Sequence, residues 1–333
     1  MLALRGMSSS STPARVAILA RRIGLAACLL VCDGCRSDGT KTWPGPFIAA
    51  AAEREATCAI EPGGAISCWG TSPLSRLASP PGGSFRDVAI ETSCGIGLRT
   101  DATLVGWGAR CEPPPAGNYV TVALGFEGCA IRTSGDLVCW TLSASEYQPP
   151  SGAPVALPIA PPRTTPGPFA ALSLGAHHGC AIRSDGSLHC WGHCAYRGTG
   201  SVDCPARVPP PIGMYSKVAS GDDFSCALGV GGSLTCWGDL SGLPVLPPAS
   251  TRGLRAISAA RESICAVDSS REILCWGRPV SWYHKVYRPP TGPFIDVFAG
   301  GHHVCGLRPS GVLECWGVDQ QGQVTGRPPL LRN

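Results

Sequence analysis

Cys180-Ala-Ile-Arg-Ser-Asp-Gly-Ser-Leu-His-Cys190-Trp191-Gly192 is the stretch that decides the fold, because this phrase returns throughout the 333-residue chain. Further copies start at Cys58, Cys129, Cys226, Cys265 and Cys305, each with its second cysteine ten positions later. A tryptophan follows each second cysteine: Trp69, Trp140, Trp237, Trp276 and Trp316. A seventh copy, Ile96 to Gly108, keeps Trp107 but carries Ile96 and Gly106 at the cysteine positions. A phrase recurring at about 40 residues marks a propeller or a solenoid. A structural phrase repeated seven times offers no single special place for catalysis, so no enzyme is expected.

Within the phrase, Cys180, Ile182, Leu188 and Cys190 share one parity on either side of Ser184-Asp185-Gly186. That pattern predicts two antiparallel strands joined by a three-residue loop, with Gly186 in the left-handed position. Centring the hairpin on Asp185 sets Cys180 opposite Cys190, close enough for a cross-strand disulfide. A further apolar stretch precedes each phrase, as in Phe169 to Gly175, Tyr215 to Gly221 and Phe294 to Gly300. Before that come prolines: Pro80-Pro81, Pro113 to Pro115, Pro161-Pro162, Pro209 to Pro211, Pro247-Pro248 and Pro289-Pro290. Proline lacks the ladder donor and marks where one sheet ends and the next begins. The expected fold is therefore all-β, a seven-bladed β-propeller with three- to four-stranded blades. Each sheet has two apolar faces, which a closed ring of stacked sheets buries. The tryptophans are expected as filler between neighbouring blades, and Gly175, Gly221, Ala260 and Gly300 as small residues crowded near the axis.

The chain has 19 cysteines, of which Cys28, Cys32 and Cys35 lie near the N-terminus. The hairpin spacing pairs Cys58 with Cys68, Cys129 with Cys139, Cys180 with Cys190, Cys226 with Cys236, Cys265 with Cys275 and Cys305 with Cys315. Cys194 and Cys204 flank one loop and are expected to pair. Cys94 and Cys111 bracket the copy without its own pair. Cys94 shares a strand face with Ile96, and a turn after Gly108 brings Cys111 back toward it, so a substitute bridge is expected. Every cysteine after residue 35 then has a partner, which argues for an oxidising compartment. The repeats hold no close C-x₂₋₄-C spacing, and neither a metal nor a cofactor is expected.

Arg15, Arg21 and Arg22 precede the apolar run Ile23 to Val31, the pattern of a signal peptide too short to span a bilayer. Leu25-Ala-Ala-Cys28 is similar to a bacterial lipobox, which makes Cys28 the candidate lipidation position; lipoprotein and plain secretion both fit. The expected division is a signal peptide over 1–35, a linker over 36–45 and the propeller over 46–333, in a secreted, cell-surface or periplasmic protein. Four of the 27 Lys and Arg and one of the 23 Asp and Glu lie in residues 1–35. The remainder is near neutral, so nucleic acid is not implied, and contact with a membrane is expected only through an N-terminal lipid.

The run Phe294-Ile-Asp-Val-Phe-Ala-Gly-Gly-His-His-Val-Cys-Gly-Leu-Arg-Pro-Ser-Gly-Val-Leu-Glu-Cys-Trp-Gly317 resembles the regulator-of-chromosome-condensation repeat. Asp319-Gln-Gln-Gly-Gln323 resembles that repeat's continuation. Repeats this short are similar to the bacterial β-lactamase inhibitor protein II branch, whose blades have three strands. The resemblance spans about residues 46–330. It implies a seven-bladed propeller and protein binding through one rim of the ring. It carries over no contact residue.

The sequence contains no G-x-S-x-G, phosphate-binding loop, H-E-x-x-H or calcium-loop pattern. The loops before each phrase read Glu53-Arg-Glu55, Glu91-Thr-Ser93, Phe126-Glu127, His177-His178, Asp222-Asp-Phe224, Arg261-Glu262 and His302-His303. By the repeat they emerge on one rim, and Glu127, His177, His178, Asp222, Asp223, Glu262, His302 and His303 form the candidate binding set. An acidic, histidine-bearing rim meets a basic partner or responds to acidification. The structural alternative is a solvated loop, with His178 and His303 bonded within the sheets. The longest steps between second cysteines, Cys139 to Cys190 to Cys236, hold Ser151 to Thr165 and His193 to Pro205. Tyr196 and Arg197 make the latter a candidate binding loop. The expected function is an exported, monomeric, non-catalytic scaffold for a protein partner. The alternatives are an inhibitor of a secreted or periplasmic enzyme such as a β-lactamase, and a cell-wall or glycan hydrolase working at the axial mouth.

Overall fold

A computed structural model describes residues 41–43, 45–70, 77, 79–109, 111–125, 127–142, 146–147, 155–156, 163–192, 209–243, 253–277, 288–320 and 322–325. The phrase forms the hairpin its parity predicts. Cys180 stands opposite Cys190 and Ile182 opposite Leu188. The loop closes through Gly186 N–H to the Arg183 carbonyl at 2.8 Å, with Gly186 at φ 85° and Asp185 accepting from the Ser187 amide at 2.9 Å.

The described strands run in chain order. β1 (Lys41–Trp43) is followed by β2 (Ala49–Ala52), β3 (Thr57–Ile60) and β4 (Ile66–Trp69), the last three forming sheet 1. Sheet 2 is β5 (Phe85–Glu91), β6 (Cys94–Arg99) and β7 (Leu104–Gly108). Sheet 3 starts with β8 (Tyr119–Leu124), β9 (Gly128–Arg132) and β10 (Leu137–Trp140). A separate ribbon pairs β11 (Glu146–Tyr147) with β12 (Val155–Ala156), and β13 (Arg163–Thr165) returns as the fourth strand of sheet 3. Sheet 4 is β14 (Phe169–Leu174), β15 (His178–Arg183) and β16 (Leu188–Gly192). Sheet 5 is β17 (Tyr215–Ser220), β18 (Phe224–Gly229) and β19 (Leu234–Gly238). Sheet 6 is β20 (Ala256–Ala260), β21 (Ser263–Val267) and β22 (Ile273–Gly277). Sheet 7 is β23 (Asp296–Ala299), β24 (His303–Leu307) and β25 (Leu313–Gly317).

All pairing is antiparallel, and the fourth strand of sheet 7 is β1, with Lys41 opposite Cys315 and Trp43 opposite Leu313. Residues 41–43, read from the sequence as linker, thus belong to a sheet. Trp43 is buried against Trp69 with ring centroids 5.1 Å apart, an apolar anchor the linker reading missed. First strands pack in succession: β2 on β5, β5 on β8, β8 on β14, β14 on β17, β17 on β20, β20 on β23, and β23 on β2 again. No helix among the described residues is long and apolar enough to cross a membrane.

Among the described residues, seven cysteine pairs stand at bonding distance. In the six hairpin pairs the Cα atoms are 4.0–4.1 Å apart, as direct cross-strand opposition requires. The seventh pair is Cys94 with Cys111, Cα atoms 4.8 Å apart. Cys194 and Cys204 lie outside the described residues.

The packing explains why the phrase ends in tryptophan. Each tryptophan sits in a cluster with the cysteine pair of the preceding sheet. Trp69 packs with Cys305 and Cys315, Trp107 with Cys58 and Cys68, Trp140 with Cys94 and Cys111. Trp191 packs with Cys129 and Cys139, Trp237 with Cys180 and Cys190, Trp276 with Cys226 and Cys236, and Trp316 with Cys265 and Cys275. Five are buried, whereas Trp191 and Trp276 are partly exposed, and all seven fill the space between neighbouring sheets as expected. An arginine covers the aromatic residue at or just before the start of several first strands: Arg183 stacks 4.6 Å from the Phe169 ring and Arg308 4.3 Å from that of Phe294.

Candidate functional site

The first strands end in the loops that precede each phrase, and small residues let these loops converge. A Cβ on Gly125 would stand 2.4 Å from the Gly175 carbonyl, one on Gly175 2.0 Å from that of Gly221, and one on Gly300 2.7 Å from that of Glu53. A Cβ on Gly221 would meet the Arg261 carbonyl at 2.6 Å, and the Asp222 amide donates to that same carbonyl at 2.9 Å. Only backbone contact without side chains permits this spacing, which is the crowding expected of Gly175, Gly221 and Gly300.

Charged groups from several sheets meet at this mouth. Arg261 holds a left-handed φ of 50°, unusual for a residue with a Cβ, and reaches both neighbours. Its Nε lies 3.8 Å from Asp222 Oδ2, and its Nη1 donates to His302 Nε2 at 3.2 Å. Its aliphatic stem lies over Gly301, where a Cβ would stand 2.8 Å from Arg261 Cδ. Glu53 accepts from the Arg54 amide. Burial, helped by the Glu91 carboxylate, pushes Glu53 up to about 7. Burial also raises Asp222, against the pull of Arg261. His302 is pushed down to about 4 by burial, then by Arg261 and Arg54.

The rim read from the sequence divides here. His178 and His303 are buried, and each bonds to the neighbouring sheet: His178 Nε2 to Ser225 Oγ at 2.8 Å, His303 Nε2 to Thr57 Oγ1 at 2.7 Å. Burial pushes them down to about 4 and about 3, so they stay neutral and form no part of an exposed rim. Their place at the start of a second strand turns them into the sheet-to-sheet contact, in keeping with the structural alternative read from the sequence. Glu127 is also buried; its Oε1 accepts from Trp191 Nε1 at 2.8 Å and its Oε2 pairs with Arg163 on β13. It clips sheets 3 and 4 together and is not free for a partner. His177 is exposed, while Asp222, Asp223, Glu262 and His302 are partly exposed. Glu53, Arg54, Glu91 and Arg261 join the mouth although no signal in the sequence distinguishes their charges from solvated ones. Tyr196, Arg197 and Cys28 lie outside the described residues.

Among the described residues, Glu127, Cys129 and Cys139 offer atoms within 4.8 Å of one another as metal ligands. The two sulfurs are bonded to each other and are not thiolates, so the set does not suit a metal.

The opposite end of the first strands differs in character. Exposed Ile48 just before β2, Val120 near the start of β8 and Ile295 just before β23 lie there, and Asp87 accepts from Thr121 Oγ1 at 2.9 Å just inside. Sheet 5 adds Ile212 and Met214 before β17 and Val230 in its hairpin, with the Val230 amide donating to the Met214 carbonyl at 3.1 Å.

No family model matches the chain. Among solved structures, the CRINKLY WD40 ectodomain of the Arabidopsis thaliana receptor kinase ACR4 superposes with a TM-score of 0.65 at 22% identity, over 82% of this chain and 96% of that one. The entire ectodomain of the Physcomitrella patens receptor kinase CR4 gives 0.62 at 20% identity, over 84% and 74%. Human WBSCR16 gives 0.60 at 15% identity, over 83% and 87%. At this level of identity the likeness speaks for the fold alone: the chain is an all-β propeller built of antiparallel three- and four-stranded sheets.

Proposed function

We propose that the protein is an exported, disulfide-stabilised propeller of seven blades that acts as a non-catalytic scaffold for a protein partner. The return of the first-strand succession from β23 to β2 supports seven blades in a closed ring, with β1 fastening the last sheet. Seven cysteine pairs fit an oxidising environment outside the cytosol. They support export with a signal over 1–35, with or without lipid on Cys28. The repeat resemblance to the chromosome-condensation regulators and to β-lactamase inhibitor protein II points the same way.

The observation that carries protein binding is the apolar surface of sheet 5. Its hairpin reads Gly229-Val-Gly-Gly-Ser233 where sheet 4 has Arg183-Ser-Asp-Gly-Ser187, so arginine and aspartate are lost together. Ile212 is fully exposed, Met214 67% and Val230 72% exposed. An exposed apolar patch fits a partner that presents an apolar surface. The test is capture of partners from cell-surface extract by the wild type, by an Ile212→Asp/Met214→Asp/Val230→Asp variant, and by an Arg54→Ala/Glu262→Ala variant of the opposite mouth. A protein lost only with the patch variant supports the reading; equal capture by all three overturns it.

The hydrolase alternative has one observation in its favour, the elevated Glu53 beside Glu91, since glycoside hydrolysis uses an acid raised toward neutrality and a second carboxylate. Hydrolysis of cell-wall glycan by the wild type, abolished in Glu53→Gln, would support that alternative and displace the scaffold reading.

A further inference from the structure

We infer that the protein partner of sheet 5 places an arginine side chain over Tyr215, where this chain supplies an arginine of its own in four other sheets. The inference rests on the reading of the sheet 5 surface as the binding face and names the group that surface receives.

The repeat itself defines the place. Three first strands open on an aromatic residue paired with an arginine at the end of the second strand: Phe85 with Arg99, Tyr119 with Arg132 and Phe169 with Arg183. Each guanidinium lies over the paired ring, Arg99 at 5.9 Å and Arg132 at 5.5 Å, as Arg183 does over Phe169. Arg308 covers Phe294 of sheet 7 in the same way. Sheet 5 keeps the aromatic and the register, with Tyr215 opposite Gly229, but the glycine brings no side chain. Tyr215 is seated like the others: it packs in the cluster of Cys180 and Ile182, and Gly213 borders its Cε2–Cζ edge as Gly83 borders that of Phe85. The four covered rings are 0–4% exposed, and Tyr215 is 8% exposed. Sheets 1 and 6 do not repeat this arrangement. Glu61 stands at the arginine place in sheet 1, its carboxylate accepting from Ser67 Oγ at 2.9 Å, and Leu254 replaces the aromatic in sheet 6.

The surroundings suit a guanidinium held between aliphatic groups. Val230 follows Gly229, Met214 precedes Tyr215, and a backbone hydrogen bond joins the two. The same bond in sheet 4 joins Ser184 to Pro168, so the exposed aliphatic side chains belong to sheet 5 and not to the repeat. In sheet 7 Arg308 Nη2 donates to the Thr291 carbonyl at 3.1 Å. Ile212 holds the place of Thr291, one residue before the connector glycine, and offers its carbonyl to an incoming guanidinium. The Tyr215 amide donates to the Gly186 carbonyl at 2.9 Å, which sets the exposed hairpin bearing Asp185 alongside. Lys217, further along β17, acts on Asp296 of sheet 7. A planar guanidinium stacks on a ring while its N–H groups reach a carbonyl, a combination the compact lysine ammonium lacks.

NMR of the protein carrying ¹³C-labelled tyrosine tests this with three peptides: acetyl-Leu-Arg-Leu-amide, its citrulline analogue and its lysine analogue. The Tyr215 signal is assigned by its loss in Tyr215→Phe. The expected result is a saturable shift of that signal by the arginine peptide, with the citrulline peptide binding about two- to fivefold more weakly. Gly229→Arg fills the place from within and should abolish the shift. The backbone of Gly229 is one that any residue adopts, and of its surroundings the Ser233 hydroxyl, 2.8 Å from a Cβ there, must turn. Equal binding of the three peptides overturns the inference and leaves apolar binding by sheet 5 intact. A Tyr215 signal unmoved at millimolar arginine peptide overturns it too. A signal that shifts with protein concentration before any peptide is added assigns the place to a second copy of this chain, which also overturns it. Should Gly229→Arg fail to fold, the arginine and citrulline peptides on the wild type decide. Capture of a partner from cell-surface extract stands or falls separately.

Discussion

Replacing Cys94 and Cys111 by alanine is the most informative perturbation, because sheet 2 departs from the repeat at this bridge. The bond spans a sequence separation of 17, and releasing that loop in the unfolded chain costs about 3 kcal/mol by the chain-entropy relation. The lost sulfurs also line the cluster under Trp140, which adds roughly 1 kcal/mol of packing. We expect the double variant to lose about 3–4 kcal/mol in denaturant unfolding followed by fluorescence. The repeat also predicts a repair. Ile96 and Gly106 stand directly opposite each other, as Cys58 and Cys68 do in sheet 1. A Cβ at Gly106 would meet Ile96 Cδ1 at 3.1 Å and Cys111 Sγ at 3.2 Å, so the glycine exists because those two groups fill the space. Adding Ile96→Cys and Gly106→Cys to the double variant removes both obstacles and should restore a hairpin bridge worth about 2–3 kcal/mol. Non-reducing peptide mapping checks that the new bridge forms. If the double variant matches the wild type in stability, or the quadruple variant leaves both new thiols free, the equivalence of sheet 2 with the other repeats is refuted.

Trp316→Ala should cost roughly 3–5 kcal/mol, and Trp276→Ala distinctly less because its ring is partly exposed; denaturant unfolding separates the two. Trp43→Ala, which removes the buried anchor of β1, should cost roughly 3 kcal/mol and raise hydrogen exchange along β25 first. His178 and His302 are depressed to about 4, so stability falls as pH drops from 6.5 to about 4 and then levels, the unfolded chain taking up protons that the folded chain refuses. Glu53 acts in the opposite direction, its contribution complete below about 4.5 and lost as pH rises through about 7, so melts of Glu53→Gln should lack that alkaline loss.

Much of the architecture was legible because its causes are local. The alternation around Asp185 sets the hairpin register, and that register alone brings Cys180 to Cys190. The tryptophan after each second cysteine follows from the same period-two alternation, which points it at the cysteine pair of the preceding sheet. Even the Cys94–Cys111 pair could be reached from parity and a turn. Tertiary structure decided what depends on burial between distant segments. His178 and His177 are adjacent in sequence, yet one is sealed against Ser225 and the other exposed, because only packing tells which neighbour faces the next sheet. Glu127 looked like a rim acid until Trp191 and Arg163, far along the chain, claimed both its oxygens. Lys41–Trp43 read as linker because three residues carry too little pattern to announce a strand, and their partner β25 lies at the far end of the sequence. Composition and spacing thus determined which residues form sheets and which cysteines pair. The fate of each charge was set by desolvation and by partners that only the folded ring brings together.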